Sequence, residues 1–130
     1  MAVSTAVPTW TLRMAAGSAQ QWTFTLTTQI PGGYTPYPIP ALSTWEYVVR
    51  ATQTDTGTPI FNITTTPGLY GLITVTQTAV LAQVGLSVDA TATAALQPGT
   101  YYHCLWMNPN TTGALAVFDG QLLIDGAPPP

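Results

Sequence analysis

The side chains that could carry chemistry are few and scattered. His103 is the one histidine and Cys104, next to it, the one cysteine. A histidine works as a general base or a metal ligand when a second ligand or a carboxylate stands near it. The sequence around His103 offers neither, so it reads as a structural residue of a strand. A reactive cysteine needs surroundings that stabilise its thiolate. Cys104 is flanked at two-residue spacing by Tyr102 and Trp106, which assigns it to an inward apolar face as a small core residue. The five acids, Glu46, Asp55, Asp89, Asp119 and Asp125, are too dispersed for a glycosidase pair or a calcium cage. The four aspartates fall at strand ends and turns, where they shape local backbone. Phosphate-binding glycine loops, zinc spacings and nucleophile elbows are absent. The expectation is a protein that is not an enzyme and that uses no metal or cofactor.

Contact surfaces are better represented. Pro31–Pro40 (PGGYTPYPIP) has four prolines, which remove ladder donors and fix φ, so it is expected to be a stiff loop and not a central strand. It carries Tyr34, Tyr37 and Ile39, apolar anchors on a segment that loses little entropy on docking. Glu46 and Arg50 lie four apart on one face of a strand, placed to pair within the sheet or across an interface. Trp10, Trp22 and Trp45 sit on periodic apolar faces and are assigned to the core. Asn62-Ile63-Thr64 and Asn110-Thr111-Thr112 match glycosylation sequons and are read as chance matches.

The elements that must position these residues follow from composition and periodicity. The chain has 130 residues, a net charge of -3, two arginines and no lysine. Seven formal charges stand where an ordinary chain of this length has about 32. Two arginines cannot make a nucleic-acid footprint or a polybasic membrane patch. Apolar residues at 46% argue against disorder. No apolar run is long enough for a membrane helix, and the first residues have no basic region followed by a long apolar one. The expectation is a chain made in the cytoplasm without a signal peptide. A surface this poor in charge is expected to be covered by neighbouring subunits, because permanent interfaces are large and depleted of charge.

Alternation dominates. Trp10, Leu12 and Met14 oppose Thr9, Thr11 and Arg13; Trp22, Phe24 and Leu26 oppose the threonines of 20–28. Further strands are expected over 44–53, 59–65, 71–76, 82–88, 100–108 and 114–124, with Gly120 as a bulge or kink and a helical turn within 89–96. Seven to nine strands with frequent turn signals predict an all-β antiparallel sandwich over residues 1–125, with 31–43 as the proline-rich loop and 126–130 as a proline-rich tail.

Leu96-Gln97-Pro98-Gly99-Thr100-Tyr101-Tyr102 resembles the tyrosine corner of immunoglobulin-like sandwiches. The resemblance implies that Leu96 plugs the core and that Pro98-Gly99 turns the chain. It also implies that Tyr102, two residues before Cys104, bonds back to the turn, and that Trp45 is the core tryptophan of the third strand. Read in order, Trp45-x-Tyr47-x-x-Arg50, the Asp55-x-Gly57 turn, Leu86-x-Val88, the corner and Phe118-Asp119-Gly120 resemble the small immunoglobulin-like domains of tailed-bacteriophage virion proteins, such as the N-terminal domain of upper baseplate proteins. That resemblance implies an immunoglobulin-like Greek key. It also implies a non-enzymatic virion component, in the tail tip or baseplate or as a capsid decoration protein, that contacts other virion proteins and copies of itself. A carbohydrate-binding module for host attachment, using Tyr34, Tyr37 and Trp106, is the alternative of another class.

Overall fold

A computed structural model describes residues 9–54 and 56–126. Asp55 and the proline tail beyond Gly126 lie outside the described residues. In chain order the elements are β1 (Leu12–Ala15), β2 (Gln20–Thr25), β3 (Thr27–Ile30), β4 (Gly33–Pro36), β5 (Trp45–Arg50), β6 (Phe61–Thr64), β7 (Gly71–Gln77), β8 (Ala82–Val88), α1 (Ala90–Ala94), β9 (Gly99–Met107) and β10 (Leu115–Asp125). The protein is mostly β, as its alternating pattern predicts. The described residues form ten strands where seven to nine were expected.

The strands form a five-stranded sheet in the order β1-β10-β9-β5-β6, a three-stranded sheet β2-β8-β7 and a two-stranded ribbon β3-β4. Among the described strands all pairings are antiparallel except β1 with β10, so the large sheet is mixed and not purely antiparallel. One buried cluster draws on both larger sheets. Strand β8 contributes Val84, Leu86 and Val88, and β7 contributes Ile73. From the other sheet come Trp45, Tyr47 and Val49 of β5, Leu105 and Met107 of β9, and Phe118, Leu122 and Ile124 of β10. These positions repeat at a spacing of two, the period at which a strand presents side chains to one face.

The expected strand over 20–28 breaks at Leu26. The Leu26 amide donates to the Ala82 carbonyl (2.8 Å) and its own carbonyl accepts from the Tyr37 amide (3.0 Å). Beyond that point the chain leaves β8 and pairs with the proline-rich segment. The 31–43 loop is therefore a correction in part: Gly33–Pro36 is a strand, with Thr27 opposite Pro36 and Ile30 opposite Gly33. Pro31 and Gly32, the latter at φ 85°, make the Pro-Gly combination of a type II turn. Proline is tolerated here because a two-stranded ribbon has free edges.

The irregularity expected at Gly120 falls elsewhere. The register of β10 against β9 shifts between Ala116 and Phe118. Gly120 itself stays paired with His103 and has φ 153°. Its missing side chain admits the chain at Trp10, whose carbonyl oxygen would lie 2.4 Å from a Cβ there.

The largest correction concerns β9. Tyr102, Cys104 and Trp106 do not face the core; His103, Leu105 and Met107 do, at 2%, 0% and 4% exposure. Both alternating sets of this strand contain apolar residues, so the sequence pattern alone does not choose between them. Pairing of β9 between β5 and β10 decides it, by setting Leu105 opposite Tyr47 and Phe118. A one-residue offset moves every side chain to the other face. The corner tyrosine shifts accordingly. Tyr101, not Tyr102, donates its hydroxyl proton to the Gln97 carbonyl (2.8 Å), while Leu96 is buried at 3%. Tyr101→Phe is therefore expected to cost about 1 kcal/mol, the net worth of one such bond. Tyr102→Phe is expected to change stability by less than half of that, and urea unfolding of the two variants separates them.

Candidate functional site

The offset in β9 places an open groove of about 590 Å³ on the outer face of the five-stranded sheet. Its centre is the outward row Tyr102, Cys104 and Trp106. On β5, Arg50 stands opposite Tyr102, Val48 opposite Cys104 and Glu46 opposite Trp106. On β10, Asp119 stands opposite Cys104. One end is closed by Thr52, Gln53 and Pro59 from the β5–β6 connection, the other by Pro109, Asn110 and Thr111 from the β9–β10 turn. That turn depends on two asparagines with positive φ, Asn108 at 52° and Asn110 at 62°. Asparagine is among the few side chains that accept this conformation readily. The Asn108 Oδ1 accepts from the Thr44 amide (2.9 Å), which ties the turn to the start of β5.

The polar groups of the groove are positioned by neighbours. Glu46 accepts a hydrogen bond from the Asn62 amide nitrogen (2.7 Å), and Arg50 donates to the Gly57 carbonyl. The Cys104 thiol is pushed up to about 12, first by burial and then by the Asp119 carboxylate. It stays protonated at neutral pH, which is the unreactive form. The set comprises two aromatic rings, two carboxylates, a guanidinium and two amides. Such a set can stack on a flat ligand face and hydrogen-bond its rim.

Directly beneath, His103 is buried and fully bonded. Its Nε2 lies 2.7 Å from the Trp10 carbonyl oxygen and its Nδ1 lies 2.9 Å from the Tyr47 hydroxyl. A carbonyl only accepts, so Nε2 carries the proton and Nδ1 accepts from Tyr47. The ring stacks on Trp10 at 5.6 Å and 20°. Burial lowers the His103 pKa, against the weaker opposing effects of the Trp10 carbonyl and Asp119. Burial likewise raises the pKa of Tyr47. Below the ordinary imidazole value of about 6.5, the unfolded chain binds a proton that the folded chain refuses. The contribution of His103 is thus complete above about pH 6.5 and is lost as pH falls toward the lowered folded value. We expect the urea midpoint to drop as pH falls below about 6.5, and the folded imidazole to titrate at lower pH than the unfolded one. A midpoint that is flat across that range would contradict the assignment.

The remaining interface candidates and the fold-defining Trp45, Leu96, Pro98 and Gly99 lie apart from the groove. Tyr34, on β4, is 69% exposed, beside a cleft of about 130 Å³ shared with Val80 of the β7–β8 turn. Tyr37 and Ile39 are half-buried and pack against the core cluster. The Ile39 amide donates to Gln77 Oε1 (2.7 Å). Trp45 is buried at 2% and donates to the Ser43 hydroxyl (2.9 Å). Leu96, Pro98 and Gly99 form the corner between α1 and β9. Asp125 pairs with Arg13 (3.3 Å) at the β1–β10 edge, and Asp89 precedes α1 without capping it through its side chain. Among the described residues no three histidine, cysteine or acidic side chains converge as metal ligands. The partnership of Tyr102 and Trp106 with Glu46 and Asp119 was missed in the sequence. Its only signal was that Glu46 and Arg50 share the polar face of β5. No protein-family model matches this chain, and comparison with curated proteins finds no significant relative.

Proposed function

We propose that this chain is a non-enzymatic structural protein of a tailed-bacteriophage virion, built on an immunoglobulin-like Greek-key sandwich. The fold part of the reading is supported by strand order. A sheet with β10, β9 and β5 at its centre against a sheet β2-β8-β7 is the distribution such a sandwich uses, and Tyr101 supplies its corner. The functional part rests on one observation. Large apolar side chains stand in water on a surface with few charges: Leu42 is 94% exposed, Val80 83%, Tyr34 69% and Leu69 66%. An exterior of this kind invites association, and a permanent assembly turns that into a use. The partners are other virion proteins and copies of the chain. Tail tip or baseplate is the first location, and capsid decoration the second. Mass spectrometry and cryo-EM of purified particles test this. The chain is expected among the virion proteins, and a copy number that is a multiple of the capsid symmetry would assign it to decoration. Its absence from purified particles defeats the reading.

The groove favours a second reading, a saccharide site for host attachment. Trp106 and Tyr102 offer stacking faces, and Glu46, Asp119 and Asn110 offer hydrogen-bond partners for sugar hydroxyls. Trp106, not the separate Tyr34 and Tyr37, is the residue to remove. Glycan-array binding that Trp106→Ala abolishes would support this reading; an empty array would end it.

A further inference from the structure

Resting on the assembly reading above, we propose that the free edge of β7 pairs with β7 of a second copy, so that two three-stranded sheets become one six-stranded sheet. Among the described residues strand β7 bonds to β8 on one side only and is an edge of its sheet. It runs for seven residues, Gly71–Gln77, longer than the four of β1 or β6 or the six of β2 at the other edges of the two larger sheets. An exposed edge carries unpaired amides and carbonyls, and proteins protect such edges with charge, proline, a bulge or shortness. Strand β7 has none of these. Its sequence GLITVTQ contains no charge and no proline, and its register against β8 is unbroken from Gly71 to Gln77. The β1 edge, by contrast, carries Arg13 in an ion pair with Asp125, and β4 contains Pro36. Thr74, Val75, Thr76 and Gln77 are all exposed, so the edge is accessible over its C-terminal half, while Gly71 and Ile73 are buried.

The occupant follows from self-complementarity. Closed two-fold assembly requires one surface to match itself. Antiparallel pairing of β7 about an axis at Thr74 sets Ile73 opposite Val75 on the inner face and Leu72 opposite Thr76 on the outer face, with Thr74 opposite its own copy. β-branched and Thr–Thr pairs are favourable across strands, and like charges, which would oppose the match, are absent. Pairing also covers Val75, an exposed apolar residue of the inner face, 37% accessible in the single chain. A seven-residue ladder is small beside a standard interface, so the pairing is expected to depend on concentration.

The test is native mass spectrometry and light scattering of the full chain over a concentration series. The mass is expected to rise from 13.7 kDa toward twice that value. Thr74→Lys sets two like charges on the axis, and Thr76→Lys sets a charge against Leu72 of the second copy. Each is expected to raise the dimer dissociation constant at least tenfold with an unchanged circular dichroism spectrum. Thr74→Cys is expected to give an oxidised cross-linked dimer, whereas Thr23→Cys, on the same outer face of β2, gives none. A chain that stays monomeric at every concentration overturns the proposal, as does a dimer indifferent to both lysines or cross-linked equally through Thr23. The virion reading fails separately, on the absence of the chain from purified particles.

Discussion

Gly120→Ala is expected to cost about 4 kcal/mol and to release the chain around Trp10 from the sheet. Two effects combine. Gly120 has φ 153°, a conformation that side chains with a Cβ rarely adopt. A Cβ would also lie 2.4 Å from the Trp10 carbonyl oxygen and 3.0 Å from its nitrogen, both backbone atoms that cannot swing aside. The Trp10 backbone is held by its amide, which donates to the Asp119 carbonyl (2.7 Å), and by its carbonyl, which accepts from His103 Nε2 (2.7 Å). Either β10 distorts or both bonds break. The second outcome leaves His103 without a partner on Nε2 and admits water to it, so a second readout exists. In Gly120→Ala relief of burial, the larger effect, should move the imidazole pKa up against the smaller lowering from loss of the Trp10 carbonyl, measured by NMR titration. A variant with wild-type urea midpoint and unchanged imidazole titration would contradict the packing described for this crossing.

Phe118→Ala is expected to destabilise by about 3–5 kcal/mol, the range for deleting a buried aromatic ring. Phe118 is 3% exposed and stands where the two sheets meet. Its ring lies 5.0 Å from Trp10, 5.1 Å from Phe24, 5.1 Å from His103 and 6.3 Å from Tyr47. Removing it leaves a cavity bounded by stiff rings that cannot collapse easily, and it removes edge contacts worth about 0.5–1.5 kcal/mol each. Against a total stability of about 5–15 kcal/mol, this is a large share. The urea midpoint should fall with the slope unchanged, and Phe118→Leu should recover part of the loss. A loss below about 1 kcal/mol would mean that the site is not the packed junction described.

Much of the fold was legible because strands signal themselves locally. The span Ala82–Val88 is identical in prediction and structure, since apolar and small polar residues alternate there without ambiguity. The helical turn within 89–96 was legible from its alanines, and it forms at Ala90–Ala94. The break at Leu26 was not legible. Thr23, Thr25 and Thr27 alternate with Trp22, Phe24 and Leu26 straight through it, and only the competing partners, β8 before and β4 after, divide the segment. The parallel pairing of β1 was equally hidden, because four residues have no preference between a parallel and an antiparallel neighbour.

The groove carries the same lesson at the level of function. By itself the amino-acid sequence determined a mostly β chain with few charges, a leucine-and-tyrosine corner and an isolated histidine, since these depend on residue type and short-range spacing. Only the tertiary structure decided which tyrosine closes the corner, that Cys104 and Trp106 line a groove, and that His103 is bonded between Trp10 and Tyr47. The physical reason is the two-residue period of a strand. When both faces can be apolar, local pattern leaves the facing undecided, and the partner strands on either side settle it for every side chain at once.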